Sequence, residues 1–298
     1  MSDSKNQYYV KRNLRHLFTG ENTPQLLYVT QMLPSDQAHP RLLHSHQDLV
    51  EILLICNGTG KFLVGETSYD IQTGDLLIYN SGVVHDEISS QENAVESFCI
   101  GIGGLRMPGL RENALIPDNA PVLLHTGPEA EALRTLYDTI YRYLAEDRPG
   151  CEDFCHYLLL ALLCRILQIT NDIPQQPVLE NVSLGRTIQE YIDAHYKEPL
   201  TLQDIGDALH LSPYYLSHVF KSASGYSPMQ YLSRRRIGEA QNLLISTDLP
   251  IARVAEEVGF DTQNYFNLQF SKHVGMPPKK FRQAIREKQL NATETEPS

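Results

Sequence analysis

The C-terminal third of the chain contains one helical unit written twice. "LQDIGDALHLSPYYLSHVFKSASGYSP" (202–228) is answered by "IARVAEEVGFDTQNYFNLQFSKHVGMPP" (251–278). Leu202, Ile205 and Leu209 recur as Ile251, Val254 and Val258 at an offset of 49. Leu216, Phe220, Gly225 and Pro228 then recur as Phe266, Phe270, Gly275 and Pro278 at an offset of 50. One residue has slipped in at a turn. Such a duplication constrains the region to an all-helical module built from two copies of one supersecondary motif.

Each copy reads as helix, tight turn, helix. Thr201 caps the first helix with Asp204 at the third position, and Ser212 caps the next, with Pro213 where its missing N–H costs nothing. Leu216, Val219 and Phe220 form core, while Tyr214, Ser217, His218 and Lys221 face away from it. In the second copy the outward set is Gln263, Asn264, Asn267 and Leu268. Amides pair with adenine, a hydroxyl serves several bases, and an apolar side chain meets the thymine methyl. One such face is explained by solvation alone; two in register argue for reading base edges. Between the copies, "PMQYLSRRRIGEAQNLLIS" reads as a single helix with Tyr231, Ile237, Ala240 and Leu244 on its buried side. Some 18 residues at ~1.5 Å each span about 27 Å, so the spacer can set two recognition helices roughly one DNA turn, ~34 Å, apart.

Charge supports a local DNA-binding role. Net charge is −11 overall, yet residues 1–183 carry 12 Lys and Arg against 23 Asp and Glu, whereas residues 184–290 carry 13 against 11. Candidate phosphate contacts in this mildly basic part are Lys221, Arg234, Arg235, Lys272, Lys279 and Lys280.

The N-terminal half follows a different rule. From Leu26 to Leu124, β-type runs ("LLYVTQ", "VEILLIC", "KFLV", "LLIY", "VESFCIGI") alternate with the turn sequences "NGTG", "VGE" and "QTGD"; short strands at this spacing predict a sandwich or barrel. Apolar residues then recur at helical spacing from Gly127 to Thr170, interrupted by "EDRPG", which predicts a helical hairpin. Its second helix is apolar nearly all round, and a partner subunit or the barrel itself would cover it.

Five cysteines, Cys56, Cys99, Cys151, Cys155 and Cys164, lie in apolar or helical surroundings and read as free thiols rather than a disulfide framework; Cys151, Cys155 and His156 lack a second ligand pair for a zinc site. The polar N-terminus holds no basic-then-apolar signal, and "YLLLALLC" falls short of the ~20 residues needed to cross a bilayer. A cytoplasmic protein with no membrane contact is expected.

"HSHQDLVEILLICNG" (44–58) adds another chemistry: His44, His46 and Glu51 are spaced as metal ligands, and the two histidines point the same way from a strand.

Residues 184–286 resemble the DNA-binding domain of the AraC/XylS family of transcription regulators, above all in "IARVAEEVGFDTQNYFNLQFSKHVGMPPKKFR". That resemblance implies base-facing roles for Tyr214, Ser217 and His218 in the first recognition helix, and for Gln263, Asn264 and Asn267 in the second. Leu268 stands where members often carry arginine. The N-terminal part resembles the cupin barrel: "HSHQDLVEILLICNG" fits one motif, and "GDLLIYNSGVVH" the other, through Gly74, Gly82 and His85, with Asn80 in place of the usual proline. By that resemblance His44, His46, Glu51 and His85 fill all four metal positions.

The fold class expected is a two-domain chain: an all-β cupin barrel with an N-terminal arm (1–126), a helical hairpin for dimerisation (127–171), a linker (172–183), an all-α double helix-turn-helix domain (184–286) and a disordered tail (287–298). Three readings of the barrel stand side by side. It is a metal-free effector pocket, a site for a divalent transition metal that is the signal or holds the effector, or an enzyme. The DNA-reading fusion argues against the enzyme, and the metal-free pocket ranks first. The function expected is an effector-responsive, sequence-specific transcription regulator, not an enzyme. It would act as a homodimer on double-stranded DNA, with RNA polymerase as a further partner and sugars as the family-level expectation for the effector. The reading from another class is a cupin-type metalloenzyme whose C-terminal helices make protein contacts.

Overall fold

The structure, a computed structural model, describes residues 17–18, 23–34, 42–88, 95–147, 149–171 and 184–294. The expected N-terminal arm and linker, and residues 295–298, lie outside these.

Among the described residues, eight strands lie in the N-terminal domain: β1 (Gln25–Met32), β2 (Leu49–Asn57), β3 (Thr59–Val64), β4 (Thr67–Gln72), β5 (Asp75–Tyr79), β6 (His85–Ile88), β7 (Glu96–Gly103) and β8 (Leu123–His125). They build a five-stranded sheet in the order β1-β7-β2-β5-β8 and a three-stranded sheet in the order β4-β3-β6. Central strand β2 is buried on both faces, and alternation sorts its residues. Val50, Ile52 and Leu54 point outward into a core shared with the helical hairpin. Leu53 and Ile55 point inward to meet Phe62, Val64 and Ile71 of the second sheet. Glu51 shares the inward parity, so a carboxylate is carried into the barrel.

The hairpin is α1 (Ala130–Ala145) and α2 (Cys151–Asn171). Leu133, Tyr137 and Ile140 of α1, and Cys155, Leu159, Leu162, Leu163 and Ile166 of α2, pack on the outer face of the large sheet. The fully buried Tyr137 hydroxyl donates to the Ile52 carbonyl at 2.9 Å. By length and composition α2 could cross a membrane, but its buried side is packed on the barrel. Its other side carries Phe154, Tyr157, Ala161 and Cys164, all exposed.

The C-terminal domain contains α3 (Leu184–His195), α4 (Leu202–Leu209), α5 (Pro213–Ser224), α6 (Pro228–Ser246), α7 (Ile251–Glu257), α8 (Gln263–Val274) and α9 (Pro278–Glu294). Thr201 and Asp204 form the expected capping box, and Ser212 accepts from the Tyr215 N–H. The one-residue slip sits at the turns: His210 and Gly259, 49 residues apart, both adopt the left-handed conformation, with φ of 57° and 86°. The duplication then resumes with α5 and α8 ending at Gly225 and Gly275 (φ 79° and 82°). Helix α6 runs unbroken between the two units. Helix α9 continues to Glu294, past the expected start of the disordered tail, because Glu287, Lys288, Gln289 and Leu290 are all good helix formers.

Candidate nucleic-acid interface and candidate metal centre

Helices α5 and α8 present matching faces. Leu216 and Phe220, like Phe266 and Phe270, are completely buried, which turns the opposite sides outward. Tyr214 is 83% exposed and Leu268 64% exposed; His218, Gln263 and Asn264 are exposed, and Ser217 and Asn267 are half-buried. The Asn267 side-chain oxygen is buried without a hydrogen-bond partner. Tyr215 and Tyr265, 50 residues apart and both at least half exposed, stand at the third position of the two helices, where their N–H groups donate to Ser212 and Thr262. Sequence reasoning passed over this pair; the repeat offset was the signal that would have found it.

Of the phosphate candidates, Lys221, Lys272, Lys279 and Lys280 are exposed. The arginine run is not, and two assignments are corrected. Arg235 is 5% exposed: it pairs with Glu239 at 3.1 Å and Asp193 at 3.5 Å, and lies over the Tyr196 ring. Arg234 is held by the buried Asp86 of the barrel at 2.5 Å and packs over Tyr226. Arg236, the third of the run, donates to the carbonyls of Tyr196 and Glu198. Helix α6 is covered by both helix-turn-helix units and by the barrel, so its guanidinium groups serve as internal mortar rather than as phosphate contacts.

In the barrel, the structure brings His44, His46, Glu51 and His85 together, with one ligand atom from each lying within 4.8 Å of the others. His44 and His46 come from irregular chain rather than from a strand, and His44 forms an isolated bridge with His85, which opens β6. His85 Nε2 lies 2.9 Å and His46 Nε2 3.4 Å from the Glu51 carboxylate. His44 Nδ1 is 2.8 Å from the Leu42 carbonyl, and His85 Nδ1 is 3.0 Å from the Val83 carbonyl. A carbonyl only accepts, so each Nδ1 carries a proton and each Nε2 is the ring atom left to face the centre, that of His85 donating to the Glu51 carboxylate.

Glu51 is the charged partner. Burial alone would raise its pKa, but the His85 hydrogen bond and the neighbouring imidazoles outweigh this and hold the carboxyl well below its usual range. Its other oxygen accepts from the Tyr28 hydroxyl and, at 3.6 Å, from the Cys99 thiol. Tyr28 reaches it by lying across Gly101 of β7, where a Cβ would collide with the ring. Tyr79 stacks on His85 at 4.0 Å. Asn80, which replaces the expected proline, accepts from the Leu115 N–H and donates to the Ile116 carbonyl; the substitution thus ties down the loop before β8.

Residues 28–163 match the AraC-like ligand binding domain family, and residues 205–284 match a helix-turn-helix domain family. The chain belongs to the AraC family of transcription regulators. Among its relatives, the HTH-type transcriptional regulator YdiP of Escherichia coli K12 is 23% identical, covering 82% of this chain and 81% of its own. The MmsAB operon regulatory protein of Pseudomonas aeruginosa is 27% identical over 86% and 84%. The arabinose operon regulatory protein of E. coli K12 is 35% identical over 44% of each chain. Among solved structures, the C-terminal domain of AraT, a response regulator from Geobacillus stearothermophilus, is 39% identical, covering 35% of this chain and 88% of that one, with a TM-score of 0.34. The protein is thus an AraC-family regulator with a ligand-binding domain and a helix-turn-helix DNA-binding domain.

Proposed function

We propose that this AraC-family protein is a metal-responsive regulator: His44, His46, Glu51 and His85 hold a divalent transition metal, and its occupancy sets how the C-terminal domain engages DNA. The observation that carries the reading is the pair of bonds from His44 and His85 Nδ1 to backbone carbonyls, which fix two imidazole rings with Nε2 left to face the centre beside a carboxylate. Three imidazoles and one carboxylate suit Fe, Mn, Ni, Co or Zn. Ligands at about 2.1 Å from one ion sit at most about 4.2 Å apart, so a cluster whose ligand atoms lie within 4.8 Å of one another would tighten around the ion on binding. The bound ion would supply a fixed positive charge to this buried site and open positions for an effector, with sugars the class that the family suggests.

The same chain reads DNA with two helices. Tyr214, Ser217, His218, Gln263, Asn264 and Asn267 meet base edges in two successive major grooves, and Lys221, Lys272, Lys279 and Lys280, with the hydroxyls of Tyr215 and Tyr265, meet phosphates. Two copies pair through the exposed stripe Phe154, Tyr157, Ala161 and Cys164 on α2, with Ala161 allowing close approach. The protein works in the cytoplasm beside RNA polymerase, as a regulator and not as an enzyme. Elemental analysis of untagged protein purified without chelators tests the metal reading. Near one transition metal per chain, lost in a His44→Ala/His46→Ala double variant, is expected; no metal in either protein returns the barrel to a metal-free pocket.

A further inference from the structure

Among the described residues, Leu63 and Val84 of the barrel share an apolar cluster with Tyr231 and Leu232 of the spacer helix α6, and a further set of contacts to that helix arises within two residues of His44 or next to His85. The Leu42 N–H donates to the buried Gln241 side chain at 3.0 Å. The Leu43 carbonyl lies against Gly238, so closely that a Cβ there would overlap it. Arg235 donates to Ser45 Oγ at 3.2 Å, and Arg234 is bound to Asp86. The two leucines part company at the helix. Leu42 enters the core of the second helix-turn-helix unit, among Ile237, Ala240, Val254 and Phe270. Leu43 enters the core of the first, with Ile205, Leu216, Phe220 and Tyr231. Both are at most 1% exposed. A two-residue prong from the barrel is therefore built into the seam between the two DNA-reading units.

We infer that the Leu42–Leu43 prong is the element through which the histidine–carboxylate centre sets the spacing of recognition helices α5 and α8. Each end of the device has its own physical basis. At the centre, the Leu42 carbonyl accepts the His44 Nδ1 proton and His44 is bridged to His85, so drawing the His44 ring toward a bound ion pulls on the backbone of the prong. At the helix, Gly238 is the position that admits that backbone, and close-packed cores respond to sub-ångström shifts of an inserted side chain by repacking rather than by stretching. The occupant of the prong's seat is thus this chain's own barrel, and the partner it acts on is the two-helix DNA reader. The inference rests on the metal reading above for its signal but not for its mechanics.

The test uses the full chain with nitroxide labels at Lys221 and Lys272 in a Cys164→Ser background, the α5–α8 distance distribution being read by pulsed electron resonance with and without Zn2+, and Zn2+ binding being measured separately. Wild type is expected to change its distribution on binding Zn2+. Gly238→Ala, which pushes the prong out, is expected to bind Zn2+ within about threefold of wild type, to broaden the distribution, and to lose the Zn2+ response. A Zn2+ response in Gly238→Ala equal to that of wild type overturns the inference. Leu43→Ala, which removes the side chain and leaves the backbone seat open, replaces Gly238→Ala should the latter fail to fold. If wild type binds neither Zn2+ nor Fe2+, Mn2+, Co2+ or Ni2+, the metal reading fails by itself. The prong is then judged without metal: an unchanged distribution in the variants overturns it, and a broadened one upholds it.

Discussion

The backbones of His44 and His85 are hydrogen-bonded to each other in both directions, His44 N–H to the His85 carbonyl at 3.0 Å and His85 N–H to the His44 carbonyl at 2.9 Å. This bridge brings residues 41 apart in sequence to one point and faces their rings at a centroid separation of 4.2 Å. It also ties together two of the stretches that touch α6, Leu42–Ser45 and Asp86. The histidine–carboxylate cluster and the domain contact are thereby opposite sides of the same few residues.

Tyr28 is the outer support of this centre, since its hydroxyl donates to Glu51. Loss of such an outer-shell bond typically costs 10–100-fold in metal affinity. Tyr28→Phe is therefore expected to weaken metal binding by that range in a competition titration, with the fold intact by circular dichroism. Unchanged affinity would mean that Glu51 needs no such support.

The seat of Tyr28 gives a paired comparison. At Gly101 a Cβ would collide with the Tyr28 ring, whereas at Gly103 it would meet only the flexible end of Leu27, at 3.1 Å. Gly101→Ala should lower metal affinity at least as much as Tyr28→Phe and cost about 1–3 kcal/mol of stability by overpacking; Gly103→Ala should do neither. Thermal melts and metal titrations on both variants check this.

On the DNA side, bases and phosphates separate by salt. His218→Ala should weaken binding to the operator by about 1–3 kcal/mol and leave random DNA nearly unaffected. Replacing Lys279 and Lys280 with alanine should weaken both and flatten the salt dependence, with a slope smaller by about 1 for each phosphate that is no longer neutralised. Fluorescence anisotropy across a salt series distinguishes the two classes. Alanine at Arg235 should leave the salt slope alone and appear instead as destabilisation, because Asp193 and Glu239 would be left without their buried partner.

Cys164 tests the proposed dimer. Among the described residues it is the exposed cysteine, in line with Phe154, Tyr157 and Ala161 on the uncovered side of α2. Mild oxidation should yield a disulfide-linked dimer that Cys164→Ser abolishes, and Tyr157→Glu should shift the protein toward monomer in sedimentation experiments. A monomeric wild type at micromolar concentration would leave the stripe without the proposed occupant.

Much of this architecture was legible in local sequence. Caps marked α4 and α5, the apolar pattern marked α6, and the repeat offset located both recognition helices, because these signals are encoded within a few residues. Long apolar runs gave β2, β5 and β7. Strands β4 and β6 were passed over: "TSYDIQ" is half exposed and "HDEI" is short and charged, so neither has an apolar signature. The arginine run misled because charge is local and burial is not; nothing in "RRR" shows that Asp86 and Asp193 converge on it from two other segments. Likewise the ligand spacing named His44, His46 and Glu51 and the cupin resemblance added His85, while Tyr28 and Cys99 join them only through strand pairing across β1, β7 and β2.

The most direct measurement is DNA affinity as a function of metal, on one preparation of full-length protein and on the duplex it selects from a random library. Demetallated protein and protein titrated with Zn2+, Fe2+, Mn2+, Co2+ or Ni2+ would be compared, beside the His44→Ala/His46→Ala variant. At least a tenfold change in Kd with one of these metals, absent in the variant, is the predicted result. Equal affinity with and without every metal, in protein shown to bind one of them, would contradict the account.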